Sequence, residues 1–218
     1  MSETVDVVVW GAGGHAAVVA DVLAAAGGFR VVGFLCDAPH AASVRGELRS
    51  SLLGGEEALH GLIARGVRHG IAAIGDAGAR RSAADRMRAM GMGLATPVHP
   101  SAVVAPGALI GAGTVVCARA VLNPGVRVGA DVIVNTGAIV DHDCVVGDAA
   151  HLAPGVTLAG RVTVGARAWV GVGATVIDGA SIGEGSLVGA GAVVVCDIPP
   201  GVVAYGVPAR VIRERSAG

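Results

Sequence analysis

Residues 109–128 read "LIGAGTVVCARAVLNPGVRV", and every sixth of them is aliphatic: Ile110, Val116, Leu122 and Val128. The phase starts at Val104. It continues through Val134, Val140, Val146, Leu152, Leu158, Val164, Val170, Val176, Ile182 and Val188 to Val194, sixteen hexads without a slip. The position two before each aliphatic residue is mostly small, as at Thr114, Ala120, Ala138, Cys144, Ala150 and Ala168. A glycine often follows it, as in Ile110-Gly111 and Val146-Gly147. An amphipathic helix would repeat at 3.6 residues and a free strand at two. A period of six requires a short strand and a turn stacked again and again, the hexapeptide signature of a parallel β-helix. Three hexads close one triangular coil, so the run predicts about five coils, each rising about 4.8 Å along the axis. The prism is narrow, and one aliphatic with one small residue per side fills it. That geometry accounts for a chain with 2% aromatic residues and 36 glycines among 218.

The first 95 or so residues follow a different rule. Asp6–Trp10, Arg30–Phe34 and Ile71–Ile74 are short apolar runs that predict strands. Ala16–Ala26, Glu56–Arg65 and Ala77–Met90 carry helical spacing between them. Strand and helix in alternation predict a small parallel sheet. The first strand runs into a glycine-rich turn, "VDVVVWGAGGHA" over residues 5–16, with His15 near its end. The two prolines of "TPVHPSA", residues 96–102, mark a boundary. The expected organisation is an α/β domain over 1–97, a parallel β-helix over 98–205 and a C-terminal cap over 206–218. A short helix is expected in that cap, because a solenoid end must be covered.

Composition removes several classes of function. Sixteen basic residues face seventeen acidic ones, and no Lys/Arg cluster offers a surface to nucleic acid. Cys36, Cys117, Cys144 and Cys196 form no Cys-x-x-Cys pair and no tight Cys/His spacing, so reduced thiols are expected, with neither zinc site nor disulfide framework. Cys144 falls in the small interior phase of the repeat and reads as packing. No apolar run approaches a membrane span and no charged segment precedes a signal-like core. A cytoplasmic protein without membrane insertion is the expectation.

With both halves in view, the chain resembles the PglD/NeuD/PerB-type sugar acyltransferases. The matching stretches are "GAGGHA" (11–16), "AIGD" (73–76), "HPSAVV" (99–104), "NTGAIVDHDC" (135–144), "AHLAPG" (150–155) and "YGVPARVI" (205–212). The resemblance spans essentially the whole chain. It implies a Rossmann-like α/β N-terminal domain followed by a left-handed β-helix. It also implies a homotrimer, with acetyl-CoA as co-substrate in the groove between two β-helices and no metal. The nucleotide of a nucleotide-linked amino sugar would occupy the N-terminal domain, and the product would be an acetamido sugar for a surface polysaccharide.

The chemistry of the residues fits that picture. An amine attacking a thioester must lose a proton, and a neutral imidazole is well matched to accept it near neutral pH. His142 lies between Asp141 and Asp143. The resemblance makes His142 the general base and Asp143 the carboxylate that orients it. His151 is nine residues on, half a coil away, so the two histidines should not share a side of the prism within one chain. By resemblance His151 lies near the acetyl group or the acceptor, and Asn135 lies near the acceptor sugar, where a buried ladder asparagine is the other reading. Backbone N–H groups of small residues such as Ala153 and Gly160, with Val172 alongside, would hold the thioester and pantetheine arm. Arg210 or Arg213 would meet the CoA phosphates, or else serve as solvated cap residues. On the N-terminal domain, Gly11, Gly13 and Gly14 let backbone N–H groups and a helix N-terminus approach the sugar nucleotide. His15, Asp37, Gly75 and Asp76 complete that substrate set. His15 reads as a contact to phosphate or sugar, or as a helix cap.

Two rivals come from other classes. A nicotinamide-dependent enzyme could use "GAGGHA", but that fingerprint alone is weak and the domain is too short for a six-strand dinucleotide site. A non-enzymatic nucleotide-binding β-helix scaffold is the other. Within the transferases, O-acetylation of sialic acid or another sugar competes with N-acetylation of a 4-amino-4,6-dideoxy sugar. The nucleotide base stays open among uridine, thymidine and guanosine.

Overall fold

The structure is a computed structural model that describes residues 4–37 and 46–215; residues 216–218 of the expected cap lie outside them. The described residues fall into two compact units that meet between Val98 and His99.

The first unit runs β1 (Val5–Trp10), α1 (Gly14–Ala26), β2 (Phe29–Leu35), a 3-10 turn (Gly46–Ser51), β3 (Leu52–Gly54), α2 (Ala58–Ala64), β4 (His69–Ala72), α3 (Ala77–Ala89) and β5 (Gly93–Leu94). The strands form one parallel sheet in the order β3-β2-β1-β4-β5. Sequence periodicity shows β1, β2 and β4. It misses β3 and β5, because strands of three and two residues that include a glycine carry no alternation to read. Val7, Val8, Val9 and Trp10 of β1 are buried, as are Ala16, Val19, Val22 and Leu23 of α1. On the side of α3, Val8, Trp10, Leu59, Leu62 and Met87 join one apolar cluster. The strand order reverses between β1 and β4, and α/β sheets bind ligands in the crevice outside the carboxyl ends at that point.

The second unit is a prism of sixteen two-residue strands, from Val103–Val104 to Val193–Val194. In every one the second residue is the hexad aliphatic. Each of the first thirteen pairs in parallel with the one eighteen residues on, as in Val128 with Val146 and Val146 with Val164. The strands stack into three sheets, one per side of a left-handed β-helix. Leu122, Val134, Val140, Leu152, Leu158, Val170 and Val176 are fully buried inside it. Each such side chain is worth about 1.5–3 kcal/mol relative to exposure. Two polar residues occupy the small interior phase and are satisfied there. Thr114 Oγ1 donates to the Gly129 carbonyl and accepts from Val132 N–H, and Ser186 Oγ does the same with Pro199 and Val202.

The tail corrects one expectation. In place of a cap helix, Val202–Gly206 pairs in parallel with Leu187–Val188, and Ala209–Glu214 folds back antiparallel onto it. An uncovered sheet edge offers unpaired N–H and C=O groups. Val202-Val203 and Val211-Ile212 are β-branched and suit pairing with it.

Candidate active site

The corner after the strand Ile139–Val140 brings together residues one coil apart. Asn123 Nδ2 donates to Asp141 Oδ1 at 2.7 Å, and the same oxygen accepts the His142 backbone N–H at 2.7 Å. His142 Nδ1 lies 2.9 Å from Asp143 Oδ2. Asp143 adopts a left-handed backbone, φ 59°, at a corner position where Gly125, Gly137 and Gly155 stand elsewhere in the prism. Asp is among the side chains that tolerate this conformation best. With Nδ1–H donated to Asp143, the lone pair of Nε2 is free to accept a proton. Nε2 would lie 2.5 Å from a Cβ at Gly160, so only glycine admits the ring there. Asp178, ion-paired with Arg161, borders the same spot, its Oδ2 3.0 Å from that would-be Cβ.

These contacts set the charge of the imidazole. The hydrogen bond that His142 donates to Asp143 raises the His142 pKa above its ordinary 6.5; partial desolvation opposes it, the charges of Asp141 and Asp143 add to it, and Arg161 opposes it. Asp141 is held below the usual carboxylate range by the His142 N–H and then by Asn123. Cys144 points inward, with its Sγ 3.1 Å from the Ala159 carbonyl, and burial pushes its thiol upward. It packs inside the prism, fully buried.

A second group sits elsewhere on the prism. Asn135 Nδ2 is 3.3 Å from His151 Nε2, and its Oδ1 accepts Thr136 N–H at 2.8 Å. The buried His151 ring stacks on Trp169, one coil on, with centroids 5.1 Å apart and planes 19° apart. His151 belongs to a different sheet from the two strands that flank His142, in keeping with the half-coil offset. Ala153 requires a correction. Its N–H already donates to Val170 at 2.9 Å, so it is not a free donor for a thioester. The Gly160 N–H has no backbone partner among the described residues. Val172 is exposed on its corner. Arg210 and Arg213 lie on the terminal hairpin, where each guanidinium donates to a nearby main-chain carbonyl.

The third group lines a cleft of about 570 Å3 in the first unit, at the carboxyl ends of β1, β2 and β4. Gly11 is fixed by the fold itself, since a Cβ there would lie 2.5 Å from the Ala73 carbonyl oxygen. Gly13 and Gly14 face open space, and Gly13 caps α1 without a side-chain bond. His15 lines the cleft while mostly buried. Burial, and then the charge of Arg80, lower its pKa from 6.5 to about 4, so it is a neutral imidazole at neutral pH. Asp76 caps α3, accepting Ala79 N–H at 2.8 Å. The buried Arg80 donates to the carbonyls of Ile74 and Gly75 at 2.8 Å each and so holds the loop that carries Gly75. Asp37 meets Arg86, which also bonds Glu56 at 2.7 Å and covers the Trp10 ring at 4.5 Å.

Sequence reading passed over Asn123, Gly125, Trp169, Asp178, Arg80, Arg86 and Glu56. Writing the chain in rows of eighteen would have aligned Asn123 with Asp141 and His142 with Gly160. Nothing local signals Arg86, which meets Asp37 from 49 positions away. Among the described residues no group of three or more His, Cys, Asp or Glu could hold a metal ion, and no helix is long and apolar enough to cross a membrane.

The PglD N-terminal domain family matches residues 6–87. Comparison with curated proteins gives no match. Among solved structures, a mutant of perosamine N-acetyltransferase from Caulobacter crescentus, in complex with CoA and GDP-perosamine, is 42% identical over 96% of this chain and 97% of that one, TM-score 0.90. The acetyltransferase domain of PglB from Neisseria gonorrhoeae, in complex with acetyl coenzyme A, is 37% identical over 96% of this chain and 100% of that one, TM-score 0.88. WeeI from Acinetobacter baumannii, 24% identical over 96% of this chain and 100% of that one, TM-score 0.75, shares the fold. With an α/β unit, a hexapeptide prism and this histidine corner in one chain, the protein belongs to the PglD/PerB-type family of sugar N-acetyltransferases and is an acyltransferase.

Proposed function

We propose that the protein transfers the acetyl group of acetyl-CoA to the amine of a nucleotide-linked 4-amino-4,6-dideoxy sugar, with His142 as general base. The observation that carries this is the His142 corner: Nδ1 is held by Asp143 and Nε2 lies over the bare backbone of Gly160. The amine nitrogen attacks the thioester carbonyl carbon. Nε2 takes the proton that the nitrogen sheds, and Asp143 stabilises the imidazolium that forms. The carbon–sulfur bond breaks and the departing thiolate takes that proton, giving an acetamido sugar and free CoA thiol. The perosamine transferase complex, which holds CoA and a nucleotide amino sugar together, supports this pair of substrates.

The cleft of the first unit is where the nucleotide sugar binds in this reading. Gly13 and Gly14 leave space that no protein atom claims, which suits phosphate at the start of α1. The neutral His15 offers a hydrogen bond and no charge, and Asp37, Gly75 and Asp76 edge the same space. The Gly160 N–H would bind the pantetheine arm beside His142, with Ala153, Val172 and Arg210 along the rest of the CoA path. Asn135 and His151 would contact the acceptor and the acetyl group. Because they stand apart from His142 on one chain, a homotrimer with the site between neighbours completes the arrangement.

Incubation with acetyl-CoA and nucleotide-linked 4-amino-4,6-dideoxy sugars, followed by mass spectrometry, tests the reading. A product heavier by one acetyl group and stable to hydroxylamine is expected, because the bond is an amide. A hydroxylamine-labile product would assign O-acetylation, and no transfer to any amino sugar would reject the reading.

A further inference from the structure

We propose that Asn123 is a positioning residue for the His142 base: its side-chain amide fixes the Asp141 carboxylate as an anion beside the imidazole. The inference rests on the transferase reading above and adds a residue to that site. Asn123 and Asp141 lie one coil apart on the same corner, both half-buried. The coil does not need their link for its own ladder. The Asn123 N–H already donates to the Val140 carbonyl, that of Asp141 to Leu158 and that of Asp143 to Pro124. The side-chain bond, at 2.7 Å, is additional. Nor is it a habit of the corner. The residues stacked at that position, coil by coil, are Ala105, Asn123, Asp141, Ala159, Ile177 and Val195. The two polar members are neighbours, and they stand at the coil that carries His142 and at the one before it.

The chemistry of the pair accounts for an asparagine. A carboxylate only accepts, so the amide turns its NH2 toward Asp141. The same Oδ1 takes the His142 backbone N–H at 2.7 Å, and two donors on one oxygen hold the carboxylate in place. A lysine or arginine would hold it too, but would cancel its charge. Asn123 holds the anion and leaves the charge uncancelled, and a hydrogen bond to an ionised group is among the stronger kinds. The charged groups around the imidazole are then Asp143 on Nδ1, Asp141 beside it, and Arg161, which is paired with Asp178. The two aspartates favour the imidazolium that forms as the amine gives up its proton, and Arg161 opposes it. The same short segment seats the second acid. The Pro124 carbonyl accepts the Asp143 N–H at 3.0 Å, and a Cβ at Gly125 would strike Asp143 Oδ1.

Thiol release by Asn123→Ala, Asp141→Ala and the double variant tests this. Asn123→Ala is expected to lower kcat about tenfold, while KM for acetyl-CoA and for the sugar nucleotide stays within about twofold. In the Asp141→Ala background the same change should cost less than about twofold, because Asn123 acts through Asp141. An equal loss in both backgrounds assigns Asn123 to the packing of the coil and overturns the proposal, as does full kcat in Asn123→Ala. The isosteric Asn123→Asp keeps the volume and sets an acceptor against an acceptor. At about pH 8, where both carboxylates are ionised, it should lose at least as much kcat as Asn123→Ala. Full kcat there overturns the proposal even if the alanine variants fail to fold. A nitrogen-15 NMR titration of the His142 ring needs no turnover and separates the two readings. Its midpoint should move to lower pH in Asn123→Ala. An unchanged midpoint rejects the positioning role whatever the activity, whereas a lowered midpoint in a protein that transfers no acetyl group rejects the transferase reading and keeps the positioning role.

Discussion

At the scale of the residue, His142 is set by three neighbours with different jobs. Asp143 bonds its Nδ1, Asp141 is pinned beside it by Asn123, and Gly160 clears the space that Nε2 faces. The pKa of His142 lies above 6.5, chiefly because of Asp143, so the neutral imidazole that the proposed mechanism requires is lost as pH falls through that raised value. Asp143→Asn removes the largest raising contribution. The acid limb of the kcat/KM profile should therefore move to lower pH, while the plateau rate falls roughly tenfold or more as the imidazolium loses its carboxylate. A pH series of thiol release reads both. A limb that stays in place would mean that Asp143 does not govern the base. The sequence made His142 and Asp143 visible through their motif. It hid Asn123, since a partner eighteen residues away is adjacent only once the coil is closed.

At the scale of the element, the hexad was legible because interior sterics leave no alternative to an aliphatic side chain at the strand end. The corners obey a second rule, readable at three residues past each aliphatic position. There the backbone turns left-handed at Gly113, Gly125, Gly137, Gly173 and Gly185, and also at Arg119, Asp143 and Arg161. Gly185 has open space around a would-be Cβ. Gly185→Val should thus cost about 1–3 kcal/mol through backbone strain alone. The exposed Arg119 has φ 61°, and Arg119→Gly should be neutral or slightly stabilising. Urea unfolding of the two variants checks this, and equal losses in both would refute the corner rule. Asp143 occupies such a strained position for the hydrogen bond it makes. The terminal hairpin was not legible. The tail contains helix-forming residues, and only the unpaired edge beside Leu187–Val188 decides in favour of a strand.

At the scale of the whole molecule, the chain carries three groups in separate places: the cleft of the first unit, the His142 corner, and an Asn135–His151–Trp169 stack on another side of the prism. The glycine turn at the start looks like a redox fingerprint, but the fold gives each glycine its own reason. Gly11 meets the Ala73 carbonyl, while Gly13 and Gly14 keep the cleft open. Arg86 and Trp10, which line the cleft, and Glu56, which holds Arg86, come from three distant segments, which is why the sequence showed Asp37 without its partner. The central claim is that chemistry occurs at His142 and the cleft only binds. Steady-state thiol release from acetyl-CoA, with a nucleotide-linked amino sugar as acceptor, tests it most directly in His142→Ala. The account predicts a fall in kcat of about 10²–10⁴ with little change in KM for the sugar nucleotide. A His142→Ala enzyme that keeps its full kcat would contradict it.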